Sequence, residues 1–455
     1  MKILHYLSIF TLILGSAFAK QPNIIFILCD DLGYGDLGVT GHPYVMSPNI
    51  DRLAEEGMLF EHGYMSGAWC SPSRASLMTG LYPSRYFNNT REMDPDRVTL
   101  YDVMKSAGYK TAHFGKWHMS GKKKNDPTPD MYGVDEYFIA NGNGEAWTRE
   151  QRQHPHWREN TTKHYVDLTI DLLERNKDSD TPLFVNLWVY PTHSYINPTP
   201  EMLSWYKDLK VDINDFENPL QREFLEWIDQ QGDVEQAMRG YCSDITELDN
   251  HVGRLMQTLK DLGMDEDTMV IFSSDNGPAP LGPGTQGLAK RIKERPTLIN
   301  CVGSAGPLRE RKSSLHDGGM RVPYIVRWPG KVPAGTVNTE SIVTGVDFLP
   351  TMAALAKAEL PNDPFDGVNM LAAYAGRPLK RPQAHFWNDR PGWSAVRDNE
   401  WKAHLIRNEF KLFNILEDPS ESVDLSTQLP EVADRYHRKL KAFETEVKPT
   451  KWVAK

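Results

Sequence analysis

The 455-residue chain is poor in cysteine and has no excess of positive charge. Its four cysteines are too few and too widely spaced for the disulfide framework of a small secreted fold. With 61 acidic and 51 basic residues, its formal net charge is −10, which argues against binding nucleic acid through general basic charge. No run beyond the first residues approaches 18 apolar positions, so no later membrane span is predicted. Hydrophobic residues make up 40% and charged residues 25%, as in globular proteins with a sizeable core.

The first residues have the pattern of a signal peptide. Lys2 supplies a positive start, residues 3–14 are mostly apolar, and Ala17-Phe18-Ala19 fits a cleavage site. The apolar stretch is short for a membrane span, and an uncleaved anchor is the alternative. We therefore expect residues 1–19 to be removed and the mature protein to be periplasmic or secreted, from a bacterial host. Two Asn-x-Thr sequons leave a eukaryotic secreted protein open.

Four apolar runs end abruptly in polar residues. They are rich in β-branched and aromatic side chains, which is typical of strands buried on both faces of a sheet. The runs occupy residues 23–28, 109–114, 183–190 and 268–272. Amphipathic stretches such as residues 50–57 and 241–262 predict intervening helices, so the pattern favours an α/β fold with a mainly parallel sheet. Ligands bind beyond the carboxyl ends of such strands, where Asp, Lys, His and Asn follow the four runs.

A loop-rich stretch at residues 352–382 separates this part from a second region. Four short runs with turns between them, followed by a helical pattern at 430–447, predict an antiparallel sheet with a terminal helix. The runs are residues 384–388, 393–397, 401–407 and 410–415. We predict a large α/β domain at residues 20–365 and a smaller carboxyl-terminal α+β subdomain at residues 366–455.

The strongest chemical signal is the segment Cys-Ser-Pro-Ser-Arg-Ala-Ser-Leu-Met-Thr-Gly at residues 70–80. Pro72 suits the first turn of a helix, which would put Cys70 at a helix amino terminus. Free N–H groups and the helix dipole favour negative charge there, and Arg74 adds a cation one turn on. These features indicate a nucleophile prepared for an anion. A buried structural cysteine beside a surface arginine is the alternative.

Hard oxygen donors follow two of the apolar runs. Asp30 and Asp31 come after the first, and Asp275 and Asn276 come after the fourth. Oxygen-only ligation suits Ca²⁺ or Mg²⁺ and does not suit zinc. Three clustered carboxylates would repel one another without a divalent cation. Helix capping by aspartate and an Asn-Gly turn are the alternatives.

The segment at residues 70–80 resembles the signature of the formylglycine-dependent (type I) sulfatases, which belong to the alkaline-phosphatase-like superfamily. The resemblance continues in order through residues 22–24, 319–323 and 418–419. It implies a sulfuric ester hydrolase with a large, mainly parallel sheet sandwiched by helices. An installing enzyme of the host would oxidise Cys70 to formylglycine. Its hydrated aldehyde would attack sulfur and form a covalent sulfo-enzyme intermediate.

The resemblance also implies a metal site. Asp30, Asp31, Asp275 and Asn276 would hold one Ca²⁺ per subunit, with the modified Cys70 side chain as a further ligand. Mg²⁺ is the alternative ion.

The same resemblance implies roles for five further side chains. Arg74, Lys116 and Lys312 would bind the sulfate, and Lys312 would also touch the leaving group. In the sequence Gly-Lys-Trp-His, His118 would take the diol proton when the intermediate collapses. His193 would protonate the leaving oxygen, although a threonine precedes it where the family more often has proline. Histidine suits both tasks because its pKa lies near working pH.

Three segments that the family pattern does not fix lie at residues 120–157, 195–236 and 278–303. The first and third carry basic residues, the second is acidic and carries aromatic residues, and together they combine basic and aromatic side chains. We expect these segments to surround the site, where aromatic faces would stack on sugar rings. They favour a sulfated polysaccharide or oligosaccharide, with a galactan such as carrageenan as first candidate. Arg309 and Arg311 are expected to be solvated or to contact a second anion of the substrate.

Three alternatives to a carbohydrate sulfatase remain. One is an arylsulfatase of broad specificity. Another is a formylglycine phosphodiesterase or phosphonate monoester hydrolase, because phosphate and sulfate are similar tetrahedral anions. The third is a non-catalytic protein that binds sulfated glycans.

Overall fold

The computed structural model describes residues 20–86, 93–280, 285–362, 364–390 and 392–447. The expected signal peptide at residues 1–19 and the sequon at residues 88–90 lie outside this part. In the described residues, no helix combines the length and apolar character needed to cross a bilayer.

The four apolar runs form neighbouring strands of one eight-stranded sheet, whose order is β4-β3-β5-β1-β6-β7-β2-β8. Its strands are β1 Asn23–Asp30, β2 Met58–Tyr64, β3 Lys110–Lys116, β4 Glu136–Ala140, β5 Leu183–Thr192, β6 Thr268–Ser274, β7 Tyr324–Arg327 and β8 Thr336–Thr344. Strand β7 runs antiparallel to its neighbours β6 and β2, and the other adjacent pairs are parallel. This confirms the predicted mainly parallel sheet.

Helices cover both faces of this sheet. In β1 the side chains of Ile25 and Ile27 enter one apolar layer, while those of Ile24 and Phe26 enter the other. The helices of the described residues are α1 Pro48–Glu55, α2 Cys70–Thr79, α3 Pro83–Tyr86, α4 Leu100–Ser106, α5 Arg149–Arg152, α6 Trp157–Asn176, α7 Pro200–Ser204, α8 Pro219–Gln231, α9 Val234–Asp261, α10 Thr285–Glu294, α11 Asp317–Met320, α12 Phe348–Ala356, α13 Leu371–Tyr374 and α14 Pro430–Val447. Helices α6 and α9 contribute to the first layer, and α4 and α12 to the second.

Helix α9 begins seven residues before the predicted position at residue 241. Asp233 caps it by accepting a hydrogen bond from the Gln236 N–H at 2.8 Å. The end of the acidic segment at residues 195–236 is therefore helical.

The carboxyl-terminal strands form a separate antiparallel sheet in the order β12-β11-β10-β9. These strands are β9 His385–Arg390, β10 Trp393–Asp398, β11 Trp401–Ile406 and β12 Glu409–Asn414. Helix α14 packs on this sheet through Tyr436 and Leu440, which share an apolar cluster with Val396 and Leu405. The predicted α+β character is thus observed, whereas the domain boundary at residue 365 stays a prediction.

Parallel pairing brings four strand ends together at one edge of the large sheet. Strands β3, β5, β1 and β6 are consecutive neighbours, and all four run in the same direction. The polar residues that follow them therefore converge, as expected for ligand sites of parallel sheets.

Candidate active site

Cys70 is the first residue of helix α2. Trp69 precedes it in extended conformation, and Pro72 lies in the first turn, as the sequence predicts. Cys70 is 8% exposed and its thiol is free. Helix α2 therefore presents this side chain, together with the positive end of its dipole, to the edge of the large sheet.

Carboxylates surround the Cys70 side chain. Asp30 ends β1, and Asp275 follows β6 directly. One oxygen of each carboxylate and the Cys70 Sγ all lie within 4.8 Å of one another. Asp31, the next residue after β1, turns the chain in the left-handed region with φ of 65°. All three carboxylates are buried.

Arg74 holds the strand ends together. Its Nε and Nη2 donate to Asp275 Oδ2 at 2.9 and 2.6 Å, and its Nη1 donates to the Lys116 carbonyl oxygen at 2.9 Å. The guanidinium also lies 5.0 Å from the ring centroid of Trp188. Arg74 is fully buried, so its charge depends on these partners.

Two lysines complete the charge balance. Lys116 donates from Nζ to Asp30 Oδ2, and Lys312 donates from Nζ to Asp31 Oδ1. Lys312 Nζ also lies 4.0 Å from the Cys70 Sγ. With Arg74, three cations thus face three carboxylates. The candidate cations and carboxylates of the sequence are therefore brought together in one cluster.

The cluster shifts the pKa values of its members. Burial would raise the pKa of Asp30, but the Lys116 charge holds it well below its ordinary value. Burial and the neighbouring Asp30 raise the pKa of Asp275 to about 6. Burial also raises the pKa of the Cys70 thiol, against the opposing charges of Lys116 and Lys312. An unmodified thiol is therefore protonated at neutral pH and is a poor nucleophile.

Two oxygens of this cluster are buried without a hydrogen-bond partner among the described residues. They are Asp30 Oδ1 and Asn276 Oδ1, whereas the Asn276 amide donates to Asp31 Oδ1 at 2.8 Å. Buried acceptors are rarely left unpaired. Together with the other carboxylate oxygens they form a hard, oxygen-only donor set, which fits Ca²⁺ or Mg²⁺.

The two candidate histidines follow β3 and β5. One ring nitrogen of His193 lies within 4.8 Å of carboxylate oxygens of Asp30 and Asp31. Its Nδ1 is 2.8 Å from the Ser194 carbonyl oxygen. Asp30 favours protonated His193, but burial and Lys116 outweigh this and lower its pKa. Burial, with the charges of Lys116 and Arg74, holds the pKa of His118 well below its ordinary value, so this ring is neutral at pH 7.

A pocket of about 370 Å³ opens over part of this cluster. Asp31, His193 and Lys312 line it, together with Arg291 from helix α10. The carboxylate cluster is thus reachable from outside through a pocket that carries basic side chains.

The comparisons with known proteins agree with this geometry. A model of the sulfatase family matches residues 22–358, which is most of the chain. The chain belongs to the sulfatase family. A second model, described as the carboxyl-terminal part of N-sulphoglucosamine sulphohydrolase, matches residues 311–446 of this sulfatase.

Curated relatives and solved structures are similar over most of the chain. The N-acetylgalactosamine-6-sulfatase of Canis lupus familiaris is 31% identical over 433 residues, covering 86% of this chain and 73% of the relative. Arylsulfatase A of Homo sapiens is 31% identical over 416 residues, covering 86% and 76%. The crystal structure of Ps i-CgsB in complex with k-i-k-neocarrahexaose has a TM-score of 0.77 and 26% identity, covering 96% of this chain and 95% of that one.

The expectation for Arg311 was wrong. Its guanidinium is not solvated: it donates to the carbonyl oxygens of Ala279 and Cys301 at 2.8 and 2.7 Å, and to Gln221 Oε1 at 2.6 Å. It therefore fixes loops behind the sulfatase site. Arg309 likewise donates to a carbonyl oxygen, that of Glu421, at 2.8 Å.

The tryptophans of the surrounding segments also differ from expectation. Among the three segments predicted to surround the site, only residues 278–303 contribute to the 370 Å³ pocket in the described chain. Trp147 and Trp157 pack against the core of the α/β domain, and Trp227 stacks on Phe224. Trp227 and Phe224 line a different pocket, of about 390 Å³, whereas the exposed ring of Tyr195 lies 5.1 Å from the Arg291 guanidinium at the 370 Å³ pocket.

Two side chains near the site were missed by the sequence reasoning. Trp188 contacts Arg74 as described, and Arg158 donates from Nη2 to the His193 carbonyl oxygen at 3.1 Å. Trp188 lies in a continuous apolar run and Arg158 in a helix rich in charged residues. Neither pattern distinguishes them from ordinary core and surface positions.

Proposed function

We propose that this sulfatase hydrolyses sulfate esters of a sulfated carbohydrate, with a galactan such as carrageenan as first candidate. The observation that carries the proposal is the position of Cys70. It starts a helix and lies beside two buried carboxylates and Lys312. Oxidised to formylglycine, this residue would supply a hydrated aldehyde whose oxygen attacks sulfur.

Asp30, Asp31, Asp275 and Asn276 would hold a divalent cation, Ca²⁺ in the first instance. The unpartnered Asp30 Oδ1 and Asn276 Oδ1 support this assignment. The bound ion would supply positive charge next to the sulfate oxygens. It would also replace part of the neutralisation that Lys116 and Lys312 now provide, which would free both lysines to bind substrate.

Charge arithmetic favours an anionic substrate. Three cations balance three carboxylates in the described cluster. A divalent cation would leave an excess of two positive charges, against one negative charge on a sulfate ester. Arg74 is fixed by its hydrogen bonds to Asp275 before substrate arrives, so it would stabilise developing charge with little reorganisation, whereas Lys116 and Lys312 would turn from their carboxylates to the sulfate.

The histidines would handle the protons. His193 lines the pocket beside Lys312; in its protonated form, which the Asp30 charge favours, it would donate a proton to the departing alcohol oxygen. His118 is neutral at pH 7 and so able to accept a proton, because burial and nearby cations lower its pKa. We assign it the proton released when the sulfated enzyme is resolved.

The carbohydrate assignment draws on the mouth of the site and on the relatives. Arg291 and Lys312 line the same pocket as His193, so a substrate with more than one anionic group is favoured. The similar structure Ps i-CgsB was solved with a neocarrahexaose, and this supports a galactan as first candidate. With residues 1–19 as a signal peptide the protein would be exported, which fits a polymeric substrate outside the cell. The domain boundary near residue 365 remains part of this proposal and is independent of the substrate.

A substrate panel tests the proposal against its alternatives. We would measure kcat/KM for 4-nitrophenyl sulfate, bis(4-nitrophenyl) phosphate and sulfated galactan oligosaccharides, with sulfate release read directly. Turnover of sulfated galactan, with sulfate esters cleaved faster than the phosphodiester, is expected. Faster hydrolysis of the phosphodiester would contradict a sulfatase assignment of the site. Turnover of the aryl sulfate alone would favour a broad arylsulfatase.

A further inference from the structure

A second pocket, of about 450 Å³, opens next to the proposed active site. One wall is the loop that carries Lys312, and the other is formed by strands and turns of the carboxyl-terminal sheet. We call it the carboxyl-terminal pocket; its basic and aromatic lining residues are Arg309, Lys312, His316, Trp393, His404, Arg407 and Lys411. Lys312 also lines the pocket that contains His193, so the two pockets meet at this residue.

The carboxyl-terminal pocket is locally basic in an acidic protein. Four basic side chains line it, whereas its acidic lining residues are Glu310 and Glu409. Glu409 is engaged by Lys411 at 3.5 Å. Arg407 forms no ion pair within the described part of the chain. Because Lys312 is paired with Asp31, three further basic side chains face these two acidic ones, so the pocket has an excess of one positive charge, against a net charge of −10 for the whole chain.

Arg407 is the side chain best placed to meet a ligand. It lies in the turn after β11, is exposed, and has its guanidinium 5.7 Å from the ring centroid of Trp393. Stacking on an indole restricts the guanidinium while leaving its N–H donors available to an anion.

The two walls of the pocket are fixed to each other. Arg309 from the loop donates to the Glu421 carbonyl oxygen at 2.8 Å, and the Asp317 N–H donates to Glu421 Oε2 at 2.7 Å. Lys402 of β11 bridges Asp317 and Glu421 at 2.5 and 3.1 Å. The pocket is thus formed before ligand binds, which lowers the entropic cost of binding.

We infer that the carboxyl-terminal pocket is a subsite for a second sulfate group of the substrate, bound while the scissile sulfate lies at Lys312. This inference rests on the proposed function. Lys312 borders both pockets. A substrate oligosaccharide that places one sulfate at Lys312 would therefore place a neighbouring sugar in the carboxyl-terminal pocket. Arg407 and Lys411 would pair with the sulfate of that sugar.

Kinetics with three probes test the subsite. The variants are Arg407→Ala and Lys411→Ala, and the control is Lys177→Ala, which removes an exposed positive charge after helix α6. The probes are 4-nitrophenyl sulfate and two galactan tetrasaccharides, one with only the scissile sulfate and one with a second sulfate on the adjacent sugar. For the disulfated probe we expect kcat/KM to fall about 10- to 100-fold, mainly through KM.

For the other two probes we expect kcat/KM to change less than about twofold. Arg407→Lys keeps the charge but loses the planar guanidinium over Trp393, so it is expected to recover only part of the lost affinity. Equal losses on the mono- and disulfated tetrasaccharides, or no loss on the disulfated one, would overturn the subsite while leaving the proposed function intact. Absence of turnover of both tetrasaccharides by the unaltered enzyme would instead refute the galactan assignment, and the subsite with it.

Discussion

At the scale of single residues, the site is a buried balance of opposite charges. Arg74, Asp30 and Asp275 have no exposed surface, and Lys116 is almost as buried. An isolated buried charge is costly, so each of these side chains depends on its partner. Binding of a cation and an anionic substrate would change the same charge balance. The residues that would bind them therefore also contribute to the stability of the fold.

Replacing His193 tests whether this residue protonates the leaving group. His193→Ala is expected to lower kcat for a sugar sulfate by about 10²- to 10⁴-fold, because a sugar alkoxide needs a proton to depart. Nitrophenolate is a good leaving group and needs less help, so the loss on 4-nitrophenyl sulfate should be much smaller. The control is His437→Ala on helix α14. Equal losses on both substrates would mean that His193 is not the acid.

His42 should make the protein sensitive to acid. Its Nδ1 accepts hydrogen bonds from the Tyr44 and Val45 N–H groups, both at 3.1 Å, and burial lowers its pKa to about 3. Below about pH 6.5 His42 is protonated in the unfolded chain but stays neutral in the folded chain. The free energy of unfolding therefore falls as the pH falls towards 3.

The His42→Asn variant isolates this contribution, because an amide oxygen can accept the same bonds but does not titrate. Between pH 7 and 5, its free energy of unfolding should fall by about 2 kcal/mol less than that of the unaltered protein. Urea unfolding at both pH values measures the difference, with the exposed His154→Asn as control. An unchanged pH dependence in His42→Asn would show that His42 is not the group responsible.

At the scale of elements, the ends of the parallel strands position the site, and close backbone contacts hold the neighbouring segments against these strand ends. Gly277 follows Asp275 and Asn276 after β6, and its N–H donates to the Gly319 carbonyl oxygen of α11 at 3.0 Å. A side chain at Gly277 would overlap the Gly318 carbonyl oxygen. Together with the Lys312 N–H, which donates to the Pro278 carbonyl oxygen at 3.1 Å, this contact keeps the loop with Lys312 against the end of β6.

Gly277→Ala is therefore expected to be strongly destabilising. Backbone atoms must move to admit the methyl group, at a cost of about 3 kcal/mol, and Lys312 should shift with them and lose activity. Gly287→Ala in α10 is the control: a Cβ there meets no neighbouring atom, and alanine favours helix. Denaturant unfolding measures the free energy of unfolding of both variants. A Gly277→Ala protein as stable as the control would contradict the close packing.

The sequence could predict the strands that were continuous apolar runs, and the site followed from their common direction. It did not predict β2, whose apolar run is interrupted by Glu61 and His62, or β4, which has only five residues. It also did not predict β7, which has four residues and runs against its neighbours, or β8, whose pattern is mixed because several of its positions are exposed. The role of Arg311 was missed for a different reason. Its carbonyl partners come from loops distant in sequence, and local charge pattern holds no information about them.

At the scale of the whole molecule, a buried ionic network joins the two sheets. Lys402 of β11 pairs with Asp317 and Glu421, Tyr64 of β2 donates to Asp317 Oδ2 at 2.8 Å, and the Nε2 of His404 lies 2.8 Å from Glu421 Oε1. Asp317 lies five residues after Lys312. The carboxyl-terminal sheet therefore supports the loop that carries a proposed sulfate ligand.

Removing Lys402 tests this connection. Lys402→Met should lower the free energy of unfolding by about 3–5 kcal/mol, because it leaves Asp317 and Glu421 buried without their shared cation. Lys439→Met is the matched control, since Lys439 pairs with Asp398 on a more exposed surface and its loss should cost less than about 1 kcal/mol. Similar losses for the two variants in urea unfolding would contradict a structural role for the network.

The central claim is that Cys70 provides the group that attacks sulfur, and sulfate release tests it most directly. The enzyme should be produced in a host that installs formylglycine and assayed on sulfated galactan beside Cys70→Ala. A second variant, Cys242→Ala, loses a buried thiol of helix α9 in the same way. We predict that Cys70→Ala folds but releases sulfate at least about a thousandfold more slowly, while Cys242→Ala stays active. Sulfate release by Cys70→Ala at the rate of the unaltered enzyme would contradict the account.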